Sequence, residues 1–323
     1  LIIVPVEATV MDTIVVALGG NAILQKGDKG TAEDQLRNIQ KTAGQLAALV
    51  KQGYRLVITH GNGPQVGNIL IQNEAGKEKV PQMPMDICGA QSQGMIGYML
   101  QMCLHNALRK LGVDKPVSTV ITQTLVDRND PAFSHPTKPV GPFYSEEWAR
   151  ERMELYGETW IEDAGRGWRR VVPSPEPQAI IETPSIKSLV DQGHIVVCSG
   201  GGGIPVIESE DGDLVGVEAV IEKDLSAERL ATSIKASRLI ILTDVNGAAL
   251  NYRGPDEIWL GEVTLSQLAE YYHESHFFEG SMRPKVKAIM RFIEHGGKLA
   301  VIAALDRATQ AVNGETGTRI KGV

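Results

Sequence analysis

The chain has 323 residues, 42% of them hydrophobic, enough for one large α/β domain or two smaller ones with a sizeable core. Its formal net charge of −7 argues against sequence-independent nucleic-acid binding, which needs a basic face, so anionic ligands must be held by local amides and a few placed lysines. The three cysteines, Cys88, Cys103 and Cys198, lack C-x-x-C spacing and fit buried free thiols in a reducing cytosol better than disulfides or a zinc site.

Leu1 to Val10 is apolar, but it is short, interrupted by Glu7, and lacks the basic start of a signal peptide. Met11 reads as the natural start and residues 1–10 as an N-terminal extension, with an edge strand as the alternative. Thr13 to Ala17 reads as a strand running into Leu18-Gly19-Gly20-Asn21-Ala22. Thr31-Ala-Glu-Asp34 resembles a capping box, and Leu36, Ile39, Ala43, Leu46, Ala47 and Val50 then recur at helical spacing up to Gly53. A strand over 55–60 enters His60-Gly61-Asn62-Gly63-Pro64, with a helix expected from about Gln65 to Glu74. Asp86 is expected to cap a long helix reaching about Leu111, with Ile87, Ala90, Met95, Met99 and Met102 on its core face. Val117 to Thr122 reads as the next strand.

The texture changes from Asp127 to Pro173, where prolines crowd in and tryptophans and arginines follow. This stretch is too long for a plain connection and too aromatic for a disordered one, so it reads as an inserted subdomain that covers the site. The strand–helix pattern resumes with a helix near Ser185 to Gln192 and a strand, Ile195 to Cys198, entering Ser199-Gly200-Gly201-Gly202-Gly203. Glu210 to Asp213 looks like a hairpin turn, Asp224 like a helix cap, and Arg238 to Thr243 like a strand. Thr264 and Ser281 open two further helices, and Leu299 to Ala303 is a late strand. Strands alternating with helices predict a largely parallel sheet covered on both faces.

Three glycine turns at carboxyl ends of strands predict a crevice lined by bare amides, suited to more than one phosphate-like anion. There is no G-x-x-x-x-G-K-[ST], which excludes a P-loop NTPase. Gly61 to Gly67 resembles a dinucleotide fingerprint with one residue too many, and the expected acidic residue would be Asp86 at a helix start, which counts against a dehydrogenase. Lys138, Lys223 and Lys285 are the candidate phosphate partners, each of which alone would read as a solvated charge. Asp224 is either a helix cap or the neighbour that holds Lys223. Asp244-Val-Asn-Gly247 is a turn or part of a nucleotide pocket, and Tyr252 packs or stacks on a base. His60 is read as orienting its loop, and Asn21 and Asn62 as anion contacts.

With these residues the chain resembles the amino acid kinase superfamily and, within it, the carbamate kinases. The resemblance covers nearly everything from Met11 onward. It rests on Val16-Ala-Leu-Gly-Gly-Asn-Ala-Ile23, Thr59 to Gly67, Pro136-Thr-Lys-Pro-Val-Gly-Pro-Phe143, Glu162-Asp-Ala-Gly-Arg-Gly-Trp-Arg169, Val171 to Pro175, Gly200 to Val206 and Gly216-Val-Glu-Ala-Val-Ile-Glu-Lys-Asp224. It implies a three-layer αβα sandwich with a mostly parallel sheet spanning 11–323, a lid inserted at 127–173, a cytoplasmic homodimer, and reversible phosphoryl transfer between ATP and carbamate with Mg²⁺. The cellular direction it implies is ATP synthesis from carbamoyl phosphate and ADP; a relative running toward carbamoyl phosphate synthesis and a non-catalytic nucleotide sensor are the rival readings. It also implies that Gly19, Gly20, Asn21, Gly61 and Asn62 cradle the transferred phosphoryl and carbamate, with Gly201 and Gly202 approaching from the third turn. Lys138 would reach down from the lid, Lys223 and Lys285 would neutralise phosphates with Asp224 orienting them, and Asp244, Val245 and Tyr252 would line the nucleotide pocket. The stretch Thr243 to Leu250 departs from the wording of relatives, and residues 1–10 have no counterpart among them.

Overall fold

The computed structural model describes residues 12–163 and 165–322; the readings of Met11 as a start and of 1–10 as an extension or edge strand lie outside the described residues. The strands are β1 (Thr13–Leu18), β2 (Arg55–His60), β3 (Val117–Thr119), β4 (Gln123–Leu125), β5 (Lys138–Tyr144), β6 (Thr159–Glu162), β7 (Trp168–Val172), β8 (Ala179–Ile180), β9 (Ile195–Val197), β10 (Ile204–Glu208), β11 (Leu214–Gly216), β12 (Arg238–Thr243), β13 (Ala249–Leu250), β14 (Ile258–Trp259), β15 (Leu299–Ala304) and β16 (Thr318–Lys321). The α-helices are α1 (Ala32–Lys51), α2 (Gly63–Gly76), α3 (Met85–Lys110), α4 (Glu146–Tyr156), α5 (Thr183–Asp191), α6 (Lys223–Ser233), α7 (Leu265–His273), α8 (Met282–Glu294) and α9 (Ala308–Val312).

The main sheet runs β16-β15-β12-β1-β2-β9-β3, parallel throughout except for antiparallel β16. Its inner strands carry nearly continuous apolar runs because both faces are covered. Ile14, Val16 and Leu18 point into a core shared with α1, α3 and α9, while Val15 and Ala17 point into one shared with α5, α6, α7 and α8. This is the three-layer αβα arrangement expected. A smaller sheet, β11-β10-β4-β8, continues from the third glycine turn, and its β10–β11 hairpin turns at Glu210 to Asp213 as read.

Thr31 caps α1 through its side chain, accepting the Asp34 N–H at 3.2 Å, but Asp34 gives its carboxylate to the Lys29 N–H and the Arg37 guanidinium. Helix α2 begins at Gly63, two residues earlier than expected, with Pro64 in its first turn. Helix α3 starts after Pro84, so Asp86 lies in the first turn and is not the cap. The expected core face of α3 is also corrected. Ile87 and Met95 are exposed, whereas Cys88, Ser92, Ile96, Met99, Leu100 and Cys103 are buried. Small residues set that face: a Cβ at Gly97 would lie 2.3 Å from the Thr119 side chain, so the glycine admits β3 close to the helix. The strand read over Val117 to Thr122 stops at Thr119, because the Gln93 side chain holds Thr122 in a turn between β3 and β4.

Between Asp127 and Pro173 the chain builds its own antiparallel sheet, β5-β7-β6, flanked by α4. Tyr144 stacks on Trp148 at 5.7 Å between centroids and meets Trp160 edge-on at 5.3 Å, which accounts for the aromatic content of this segment.

Candidate active site

Strands β12, β1, β2 and β9 are neighbours and parallel, so the segments leaving them open along one edge of the sheet. Three interstrand steps span roughly 14 Å, about the reach of a nucleotide phosphate chain and a small acceptor laid end to end. The Gly19 N–H donates to the Leu242 carbonyl at 2.8 Å, and a Cβ there would lie 2.9 Å from that oxygen. Glycine is therefore what lets the first turn cross the end of β12. A Cβ on Gly61 would stand 3.4 Å from both the Gly20 nitrogen and the Lys223 side chain, so the first two turns and Lys223 meet at this point.

The third turn is held open from behind. Ser199 adopts a left-handed φ of 50°, and its hydroxyl pairs with that of Ser226 at 2.7 Å. Gln93 donates to the carbonyls of Thr122 and Gly200, and Thr124 donates to that of Gly202 at 2.7 Å. Gly201 has φ +66°, and a Cβ there would fall 2.2 Å from the Asn62 amide, which in turn donates to the Ser92 hydroxyl at 2.8 Å. His60 is buried and its Nδ1 donates to the Gly61 carbonyl at 3.0 Å. Burial brings its pKa down to about 4, so at neutral pH the ring is uncharged and serves to orient the second turn.

The floor of the crevice is an ion bridge. Asp224, 1% exposed, accepts the Lys223 ammonium on one oxygen at 2.5 Å and the Lys285 ammonium on the other at 2.9 Å. Burial opposes the charged carboxylate, but the two ammonium groups outweigh it and hold its pKa down at about 2. The Lys223 pKa is lowered, first by burial and also by Lys285, against the pull of Asp224. Asp224 is thus the orienter of the lysines and not the cap of α6; Glu222 occupies the cap position. Lys285 also donates to the Ser281 carbonyl, one turn earlier at the start of α8.

Two cavities flank this floor. The larger, about 570 Å³, is lined by Gly19, Gly20, Asn21, Lys223, Asp244, Val245, Tyr252 and Lys285, together with Phe277, Phe278 and Gly280 to Met282. Tyr252 stands there edge-on to Trp259 and Phe278, at 5.9 and 6.4 Å between centroids. The smaller, about 140 Å³, is lined by Asn62, Gly200, Gly201 and Gly203 from the body and by Lys138, Gly141 and Arg169 from the insert. Gly61 and Gly202 line neither cavity; Gly202 packs on Ile221, whose carbonyl would sit 2.6 Å from a Cβ.

Sequence reasoning missed Glu222, whose carboxylate pairs with the Lys138 ammonium, and the Gln93 clamp behind the third turn. Glu222 carried a signal in its place beside Lys223, but nothing in the order of residues tied it to a lysine 84 positions earlier. Gln93 carried none, being one polar residue in a long helix. No described helix is long and apolar enough to cross a membrane.

Residues 12–304 match the amino acid kinase family. The chain is 59% identical to a carbamate kinase of Thermococcus kodakarensis, over 96% of this chain and 99% of that one. It is 55% identical to one from Pyrococcus horikoshii, with the same coverage. Among solved structures it is similar to a carbamate kinase from Giardia lamblia bound to AMP-PNP, with TM-score 0.93 and 45% identity over 97% of this chain and 99% of that one.

Proposed function

The chain belongs to the amino acid kinase family, and we propose that it works as a carbamate kinase, moving a phosphoryl group between ADP and carbamate. The observation that carries this reading is the Lys223–Asp224–Lys285 bridge, set between a large cavity with an aromatic rim and a small one roofed by Lys138. The large cavity takes the nucleotide, with Tyr252, Asp244 and Val245 toward the base and ribose. Lys223 and Lys285 take its phosphates. The small cavity takes the carbamoyl end, between the Asn62 amide, the bare backbone of Gly201 and the ammonium of Lys138.

Carbamate is already an oxygen anion, so its attack on a phosphoryl group needs no general base. What the transfer requires is in-line placement and neutralisation of charge on the equatorial oxygens. Gly20 and Asn21 bring bare backbone to the large cavity, with the Gly20 nitrogen beside Gly61 of the second turn, and the lysines bring positive charge already held in place. Both oxygens of Asp224 are engaged by lysines, which leaves the crevice floor without a free carboxylate for a metal. That fits Mg²⁺ arriving on the nucleotide phosphates and keeping its waters, with Asp244 among the side chains that line the large cavity. Bound there, Mg²⁺ would supply neutralisation of the negative charge on the nucleotide phosphates.

The segment 127–173 acts as a lid, since it contributes Lys138 to the roof of the small cavity. An exposed apolar face on α3, formed by Ile87, Met95 and Tyr98 with Ile121 beyond edge strand β3, supports a homodimer that covers it. Three buried free thiols support a cytoplasmic setting. The test is ATP formation from ADP, Mg²⁺ and carbamoyl phosphate in a coupled assay. Sustained turnover is expected, and a protein that binds ADP yet forms no ATP would overturn the reading.

A further inference from the structure

We propose that Glu222 is a positioning residue for the transfer: it holds the ammonium of Lys138 over the small cavity, where that ammonium meets the carbamoyl phosphate anion. The inference rests on the carbamate kinase reading and adds a residue to it. Glu222 occupies the N-cap position of α6, yet its side chain makes no capping bond to the helix. Its carboxylate turns instead to the Lys138 ammonium on β5 of the insert. Both side chains are largely buried, 28% exposed for Lys138 and 19% for Glu222, so the pair sits within the crevice and not on the outer surface.

Charge explains why a carboxylate is needed there. Lys138, Lys223 and Lys285 converge on one crevice, and Asp224 has already given both oxygens to the latter two. Without Glu222, Lys138 would face Lys223 and Lys285 with Asp224, already shared by those two, as its counter-charge, and their repulsion would push it toward solvent. An ammonium has three donors, so one spent on Glu222 leaves two for substrate oxygens. Glu222 directly precedes Lys223 and Asp224, so a single helix start fixes the lysines of the floor and the lysine of the roof relative to each other.

The test is a double-mutant cycle read by steady-state kinetics on the full chain, with Glu222→Gln and Glu222→Asp made in the wild type and in Lys138→Ala. Loss of this partly buried ion pair predicts that Glu222→Gln raises the KM for carbamoyl phosphate by about 10- to 100-fold, with the KM for ADP within about twofold. Glu222→Asp keeps the charge, and the flexible arm of Lys138 follows it, so most of the activity returns. In the Lys138→Ala background, Glu222→Gln adds less than about twofold. A Glu222→Gln enzyme with unchanged KM for carbamoyl phosphate, or effects that add across the cycle, would overturn the inference alone. A wild-type protein that makes no ATP from carbamoyl phosphate would overturn the function and this inference with it.

Discussion

Replacing Asp224 by asparagine tests the ion bridge on which the site is built. The carboxylate is nearly inaccessible and shares its two oxygens between Lys223 and Lys285. Its pKa falls from an ordinary 3.8 to about 2 in the folded protein. At 1.36 kcal/mol per unit, that shift is about 2.5 kcal/mol of folded-state preference for the ionised form. Asparagine removes that preference and leaves two neighbouring ammonium groups with no counter-ion on the floor. Asp224→Asn is therefore expected to lower unfolding free energy by about 2–3 kcal/mol at pH 7, measured by urea denaturation. Because the folded pKa lies below the unfolded one, the wild-type contribution is complete above about pH 5 and is lost as pH falls through 4 toward 2, with about half left at pH 3. The stability gap between wild type and variant should narrow accordingly. With both lysines displaced, ATP synthesis should fall by about 10²-fold or more. A variant as stable as the wild type at pH 7, or a gap that does not shrink at pH 3, would refute the bridge as the organising charge of the site.

Lys138→Ala should raise the KM for carbamoyl phosphate well above any change in the KM for ADP, since Lys138 lines the small cavity and not the large one; an unchanged carbamoyl phosphate KM would remove Lys138 from the site. Gly201→Ala should lower turnover by about 10-fold or more, because the new Cβ at φ +66° would displace the Asn62 amide. Near wild-type turnover in that variant would show that the third turn does not shape the acceptor side.

The parallel strands were legible because burial on both faces makes them continuous apolar runs, as in Ile14 to Leu18 and Leu239 to Leu242. The glycine turns were legible because bare backbone at strand ends has few structural uses. The face of α3 was not, since the residues that reach the core are small or polar, Cys88, Ser92 and Gly97, while larger apolar ones such as Ile87 stay outside. Strand β16 went unread because its polar Thr318 and Arg319 mask a position at the sheet edge. Within the site, the neighbours Lys223 and Asp224 were readable as a pair. The link from Asp224 to Lys285 is made 61 residues away by the packing of α6 on α8, and that from Glu222 to Lys138 by the insert folding back over the crevice. Such pairings come from tertiary structure and leave no trace in local spacing.

The most direct measurement compares two phosphoryl donors on one preparation of the protein: ATP formation from ADP and Mg²⁺ with carbamoyl phosphate, and the same with acetyl phosphate. A small cavity lined by the Asn62 amide and the Lys138 ammonium predicts fast turnover on carbamoyl phosphate and weak turnover on acetyl phosphate, whose methyl group offers those polar groups nothing. Equal rates on both donors, or none on either, would contradict the account.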